Sequence, residues 1–352
     1  MEVTKKEFGI IENKTISLYT LTNSNGMEMN VTNYGCIVTS IKVPDKNGQI
    51  NDIVLGFNEL KDYLEDNPYF GCVVGRYGNR IANGKFSING NEYILAQNDG
   101  TNNLHGGVKG FNKQVWSADE IKNDTYAGIE FKYLSKDGEE GFPGDLSVTV
   151  TYTINDNNEF KIDYKATTDK ITICNLTHHS YFNLAGERSG SILDHQILIK
   201  ANKYTPVDSN IITTGELADV SGSPFDLRVP TTIGNHINDD NPQLKYAGGY
   251  DHNWVIDRPD GSKELLLAAT VKDPGTGRKM DVLTTEPGIQ FYSGNFLDGT
   301  LTGKSGLKYQ FRSGLCLETQ HFPDSPNKPG FPTTILKPGQ LYNTSTIYKF
   351  YC

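Results

Sequence analysis

Apolar and polar residues alternate along much of this chain. Ser147–Ile154 reads SVTVTYTI, a run of β-branched and aromatic residues at period two. That spacing gives a strand one face for a core and one for water. Similar runs occupy Lys161–Tyr164, Ile171–Cys174, Gln196–Ala201, Leu265–Val271, Ile289–Tyr292 and Thr346–Tyr351. Helical spacing is scarce, and its best stretch, Asn58–Asp66 (NELKDYLED), predicts one short helix. Turn chemistry separates the runs at Ser24-Asn25-Gly26, Lys46-Asn47-Gly48, Asn89-Gly90, Asp156-Asn157-Asn158 and Asp260-Gly261. Closely spaced strands with no helices between them predict an antiparallel, all-β chain. No linker, low-complexity tract or fixed-period repeat divides it. The expected architecture is therefore one large antiparallel β-sandwich domain over residues 1–352.

Charge narrows the function classes. The 33 basic and 42 acidic residues leave a net charge of −9, and basic clusters do not exceed pairs such as Lys5–Lys6. Nucleic acid and anionic membrane surfaces would be repelled, so neither is expected as a partner. No apolar run reaches the roughly 18 residues of a membrane span. The start, MEVTKKEFGIIENKTISLYT, lacks the apolar core of a secretory leader. The five cysteines, Cys36, Cys72, Cys174, Cys316 and Cys352, are widely spaced and contain no CxxC. They encode neither a disulfide framework nor a zinc ribbon, and a reducing cytoplasm is the expected location.

Several segments carry too many polar, aromatic and Gly residues to be ordinary core: GRYGNRIANGKF (75–86), NNLHGGVKGFN (102–112), THHSYFNLAG (177–186), GYDHNW (249–254), PGIQFYSGN (287–295) and GLCLETQH (314–321). Together they supply what a sugar site uses. Carboxylates, amides and Arg hold hydroxyls directionally, and aromatic faces cover the apolar side of a pyranose. His178 and His179 are adjacent, so on a strand they face opposite sides. Tyr181 and Asn183 share the parity of His179, and that stripe is the expected pocket face. Cys316 and Glu318 share one face of a strand whose other face carries Leu315 and Leu317. A carboxylate so flanked is either paired structurally or tuned for proton transfer. On pattern alone both readings stay open, as they do for Arg80 in its Gly/Asn-rich turn, His105 before Gly106-Gly107, Asp251 and the mid-strand Gln290. A metal site would take His105, His179, His252 and Glu318, but no HxH or HExxH spacing supports one. GxGxxG and Walker-type loops are absent, so no nucleotide cofactor is expected.

Taken in order, NRIANGKF, NLHGGVKGFNKQVW, THHSYFNLAG, DHNWV, PGIQFYSGNFLDG and GLCLETQ resemble the aldose 1-epimerase (galactose mutarotase) family, and the resemblance spans nearly the whole chain. It implies a β-supersandwich with the sugar in an open cleft. It also implies interconversion of the α and β anomers of a free aldose without cofactor or metal, by a chain that acts as a monomer. Position by position, it assigns Glu318 as general base, His179 as general acid and His105 as a second active-site histidine. Arg80, Asp251 and Gln290 would grip sugar hydroxyls, with Asn79, Ser180 and Tyr181 beside them. Such an acid–base pair is expected to start as carboxylate and imidazolium, with a nearby negative charge raising the histidine pKa. Three readings compete: an epimerase of hexose 6-phosphates using Arg80, Lys85 and Lys109; a sugar-binding protein without catalysis; and a glycosidase using Asp251 and Glu318.

Overall fold

The strand Leu146–Asn155 buries Leu146, Val148, Val150, Tyr152 and Ile154 and turns the alternate residues outward. Its partner Glu159–Thr168 does the same with Phe160, Ile162, Tyr164 and Ala166, so facing pairs such as Val150 and Tyr164 stack cross-strand on one face. In the computed structural model, which describes residues 1–259 and 262–352, these two strands sit inside a nine-stranded antiparallel sheet. That sheet runs in the order Ser117–Lys122, Tyr126–Ser135, Leu146–Asn155, Glu159–Thr168, Tyr342–Tyr351, Lys279–Thr284, Leu266–Lys272, Gln196–Ile199 and Thr231–Thr232.

Two five-stranded antiparallel sheets accompany it. The first is a meander from Glu2–Ile11 to Ile50–Asp52. The second has the order Ala218–Asp219, Lys203–Thr205, Asp251–Val255, Gly288–Tyr292 and Cys316–Gln320. The three sheets close over one apolar core, with Leu21 and Val31 from the meander, Val150 and Ile162 from the nine-stranded sheet, and Trp254, Phe291 and Leu317 from the second. The all-β sandwich follows from this shared burial, since a sheet with one apolar face must cover it with another.

Several expected elements change at their ends. The strand expected over Thr346–Tyr351 begins at Tyr342, and that over Ile171–Cys174 shrinks to Thr172–Ile173, paired with Ile335–Leu336. The expected helix Asn58–Asp66 contracts to Leu60–Leu64, because only Leu60 and Tyr63 have core to bury and Glu59 makes no side-chain cap. A second helix, Pro242–Ala247, was not expected; six residues are too few to show a period, although its Asn241 cap, leading Pro and left-handed Gly248 are the usual stop and start signals. The turn Asn89-Gly90 joins Lys85–Ile88 to Asn91–Ile94 with both residues at positive φ, as a two-residue hairpin requires. The turn expected at Asp260-Gly261 lies outside the described residues.

Candidate active site

The site is assembled on one face of the second five-stranded sheet. Antiparallel register sets Asp251 opposite Tyr292 and Tyr292 opposite Cys316, and the next same-face row is Asn253, Gln290 and Glu318. The reverse face carries Trp254, Phe291 and Leu317 into the core. Strand alternation thus gives these three strands a wet face and a dry one, and lifts Glu318 onto the wet side while its neighbour Leu317 enters the core.

His179 approaches from the opposite side. It follows the short strand Thr177–His178, which pairs with Val73–Val74. The two histidines diverge as alternation requires. His178 turns into the core, with Nδ1 3.1 Å from the Tyr152 hydroxyl and Nε2 2.7 Å from Ser180 Oγ. His179 turns into the site, where its Nε2 stands 3.6 Å from Glu318 Oε1. Both groups are buried, yet neither completes a hydrogen bond with the other at that distance.

His105 is fixed by its loop. It holds a left-handed φ of 52°, and the following Gly106 sits where an added Cβ would meet Gly75 O at 1.9 Å. Asn98 ties the loop down, accepting from Leu104 N at 2.8 Å and donating to Gly107 O at 3.1 Å. Asn79 N–H donates to His105 Nδ1 at 3.2 Å. A backbone donor at Nδ1 leaves the remaining proton of the neutral ring on Nε2, which makes His105 a donor toward the cavity. Arg80 is buried and anchored by Asp99 at 2.7 Å and Asp251 at 3.5 Å. Gln290 Nε2 donates to Asp251 Oδ1 at 2.7 Å, so guanidinium and amide together fix the Asp251 carboxylate.

Electrostatics follow burial. Burial, with help from Asp251, pushes Glu318 well above the usual carboxylate range, and Arg80 opposes it. Burial drops His179 to about 4 and His178 to about 3. His105 falls well below the ordinary imidazole value through burial, then through His179 and Arg80. Burial also lowers Arg80, but Asp251 and Asp99 outweigh it and hold the guanidinium above its ordinary value. The expected raising of the histidine pKa by a neighbouring carboxylate is not what burial produces: it lowers His179 instead. Desolvation disfavours the charged form on both sides, raising Glu318 and lowering His179.

A cavity of about 110 Å³ opens between these groups. Asn79, Arg80, His105, His179, Tyr181, Asp251 and Glu318 line it. Gln290 stands behind Asp251 rather than on the wall. Ser180 does not line the cavity, because its hydroxyl is committed to His178. Asn183 follows the parity of His179 but leaves the pocket face, since its amide closes a turn by donating to Gly190 O and Ser313 O. The strand has already ended, so alternation no longer governs it. Residues without an expected role also line the wall. The Tyr69 ring meets His105 edge-on at 4.6 Å, and the exposed Phe296 stacks on Tyr292 at 5.9 Å. Tyr292 lies in the flagged PGIQFYSGN segment, whereas nothing in NPYFG marks Tyr69.

Donor atoms of His105, His179 and Glu318 lie within 4.8 Å of one another. They do not suit a metal ion, because a His105 that accepts at Nδ1 presents N–H rather than a lone pair. His252, the fourth candidate, is packed 4.6 Å from Phe225 with Nδ1 accepting from Asp251 N.

A carboxyl group and an imidazole that face without bonding leave room for a guest with one proton to lose and one to gain. The fixed carboxylate and guanidinium around them are the partners a polyol requires. Fold and site thus have the make-up of a sugar-handling enzyme. Comparison with known proteins makes the class particular. A sequence model of the family "Aldose 1-epimerase" matches residues 17–349. The galactose mutarotase of Sus scrofa is 47% identical over 99% of both chains. The aldose 1-epimerase of Escherichia coli K12 is 38% identical over 95% of this chain and 94% of its own. The crystal structure of galactose 1-epimerase from Lactobacillus acidophilus superposes with a TM-score of 0.87 at 26% identity, covering 99% of this chain and 98% of that one. The chain belongs to the aldose 1-epimerase family and is an isomerase of that type.

Proposed function

We propose that the chain interconverts the α and β anomers of free aldoses such as galactose and glucose, with Glu318 as general base and His179 as general acid. The observation that carries the roles is the 3.6 Å gap between Glu318 Oε1 and His179 Nε2 inside a cavity bounded by Asp251 and Arg80. The full-length similarity to galactose mutarotases supports the substrate class.

Acid plus imidazole and carboxylate plus imidazolium contain the same number of protons, so the pair stores one proton with two homes. A bound sugar favours the charged form, because its anomeric hydroxyl donates to the carboxylate and its ring oxygen accepts from the imidazolium. Glu318 then takes the anomeric proton while His179 protonates the ring oxygen. The bond from C1 to the ring oxygen breaks and C1 becomes an aldehyde. Rotation about C1–C2 presents the other carbonyl face, and the hydroxyl formed from the ring oxygen attacks it. His179 recovers its proton and Glu318 returns one to the carbonyl oxygen, so the enzyme ends as it began. His105 and Arg80 are preplaced donors for oxygen that gains charge. Asp251, held by Arg80 and Gln290, grips hydroxyls and thereby favours some aldoses over others.

Residues 1–352 act as one unit in this reading, a single chain whose partner is a monosaccharide, and a cytoplasmic setting accords with five unpaired cysteines. Among the described residues no helix is long and apolar enough to cross a membrane. The hexose 6-phosphate reading gains nothing from its extra cations: Lys85 pairs with Glu92 at 3.2 Å on the surface, and neither it nor Lys109 lines the cavity. Polarimetry on freshly dissolved α-D-galactose, with chelator-treated protein, tests the proposal. A faster approach to the same final rotation is expected. No acceleration with galactose, glucose or xylose, together with acceleration of glucose 6-phosphate, would overturn it.

A further inference from the structure

One contact at the site has no role in the chemistry above. The sulfur of Cys316 lies 3.6 Å from His179 Nδ1, within reach of a hydrogen bond to sulfur. Cys316 and Glu318 are residues i and i+2 of the same strand, on the same face, and the His179 ring bridges them: Nδ1 meets Cys316 and Nε2 meets Glu318 at 3.6 Å. Same-face neighbours on a strand stand roughly 6.5–7 Å apart, a spacing an imidazole can span edge to edge. One strand thus addresses both nitrogens of the ring. Cys316 is buried, as is every group around it: His179, Tyr181, Tyr292 and Glu318.

We propose that Cys316 is a positioning residue for the epimerase reaction, its sulfur accepting Nδ1–H of His179 and so keeping the Nε2 lone pair turned toward Glu318. The inference rests on the acid role given to His179. The physical argument is tautomeric. A proton that shuttles between Glu318 and Nε2 needs the other nitrogen to keep its hydrogen, and in a histidine the partner of one nitrogen decides the state of the other. Were Nε2 to carry the hydrogen in the neutral ring, it would face the Glu318 acid proton with a second donor and the exchange would stall.

The choice of sulfur also has a consequence. Burial and the neighbouring Glu318 hold the Cys316 thiol well above its ordinary value, so it remains uncharged. A carboxylate at Nδ1 would stabilise the imidazolium permanently and make it a poorer donor to the ring oxygen. A neutral, weak acceptor orients the ring while leaving the proton balanced between Nε2 and Glu318.

The test combines nitrogen-15 NMR of the histidines with kinetics on Cys316→Ser, Cys316→Ala and Cys316→Val. In the wild-type protein at neutral pH, His179 is expected as the Nδ1–H tautomer. Ser keeps an acceptor and should retain both that tautomer and most of the turnover. Ala and Val remove the acceptor at smaller and similar volume, and kcat should fall about tenfold with KM little changed, the weight of one ordinary hydrogen bond. Their pH–rate profiles should also move. Wild-type turnover and pH profile in Ala or Val would overturn the proposal, and so would an Nε2–H tautomer in the wild-type protein, a result that stands even if those variants fail to fold. The NMR result is independent of the acid role, which fails separately if His179→Asn keeps wild-type turnover.

Discussion

Among the described residues two carboxyl–imidazole pairs are buried or half-buried, and they behave oppositely. Glu286 and His321 are joined directly at 2.6 Å, and the Tyr342 hydroxyl donates to the other Glu286 oxygen at 3.2 Å. Glu318 and His179 stand 3.6 Å apart, and the second Glu318 oxygen has no partner among the described residues. The first pair lies beside a cavity of about 980 Å³, lined in part by Phe331, Leu341 and Tyr342. The second lies beside one of about 110 Å³. Cavity size therefore does not mark the site. A pair whose members satisfy one another has no bond to offer a ligand. A pair held apart, with its lone pairs unspent, does.

Substitution of the two carboxylates gives the sharpest contrast. Glu318→Gln is expected to lower kcat by ~10²–10⁴-fold, the usual weight of one positioned proton transfer, while sugar affinity changes little. Glu286→Gln should leave kcat near wild type. Equal losses in polarimetric assays of the two variants would break the comparison. Asp251→Asn should act mainly on KM, raising it about 10- to 100-fold, the range for a hydrogen bond to a charged group; a loss confined to kcat would place Asp251 in the chemistry instead.

The same contrast has a counterpart in stability. His321→Asn weakens a formed bond to a buried carboxylate and should cost about 1–3 kcal/mol in urea unfolding, whereas His179→Asn breaks only the weak 3.6 Å contact to the Cys316 sulfur and should cost less. The reverse order would count against the reading of the Glu286 pair as structural. Acid should also destabilise the fold. Five of the seven histidines are buried with pKa values below the ordinary imidazole value, His178 and His252 at about 3 and His179 and His195 at about 4. A lowered folded-state pKa gives stability that is complete above the unfolded value and is lost as pH falls toward the folded one. For His179, a fall from 6.5 to about 4 corresponds to about 3 kcal/mol. The urea midpoint should therefore drop between pH 6.5 and pH 4, and a flat midpoint there would contradict the burial argument.

Much of this was legible in the chain. SVTVTYTI declared a half-buried strand because alternation is a one-dimensional signal, and the THH and CLET segments declared their parity for the same reason. Asn183 escaped because parity fails where the strand stops at His178, and Ser180, which only the family resemblance set beside the sugar, bonds His178 instead. Asp99, which anchors Arg80, and Tyr69, which flanks His105, are brought in from distant loops, and no local spacing encodes them. The downward His179 shift runs against the sequence expectation because it follows how little water reaches the side chain, a quantity that exists only after folding.

If a buried Glu318 and His179 share one proton, the pH profile of kcat/KM for galactose carries the signature. Initial rates would be taken promptly after a pH jump, with the uncatalysed rate subtracted. A broad plateau is expected, with an acid limb near pH 4 where His179 gains a second proton and an alkaline limb well above the ordinary carboxylate range where the pair loses its shared one. An acid limb at the ordinary carboxylate value with an alkaline limb near 6.5, the pattern of an exposed carboxylate and imidazolium, would contradict it.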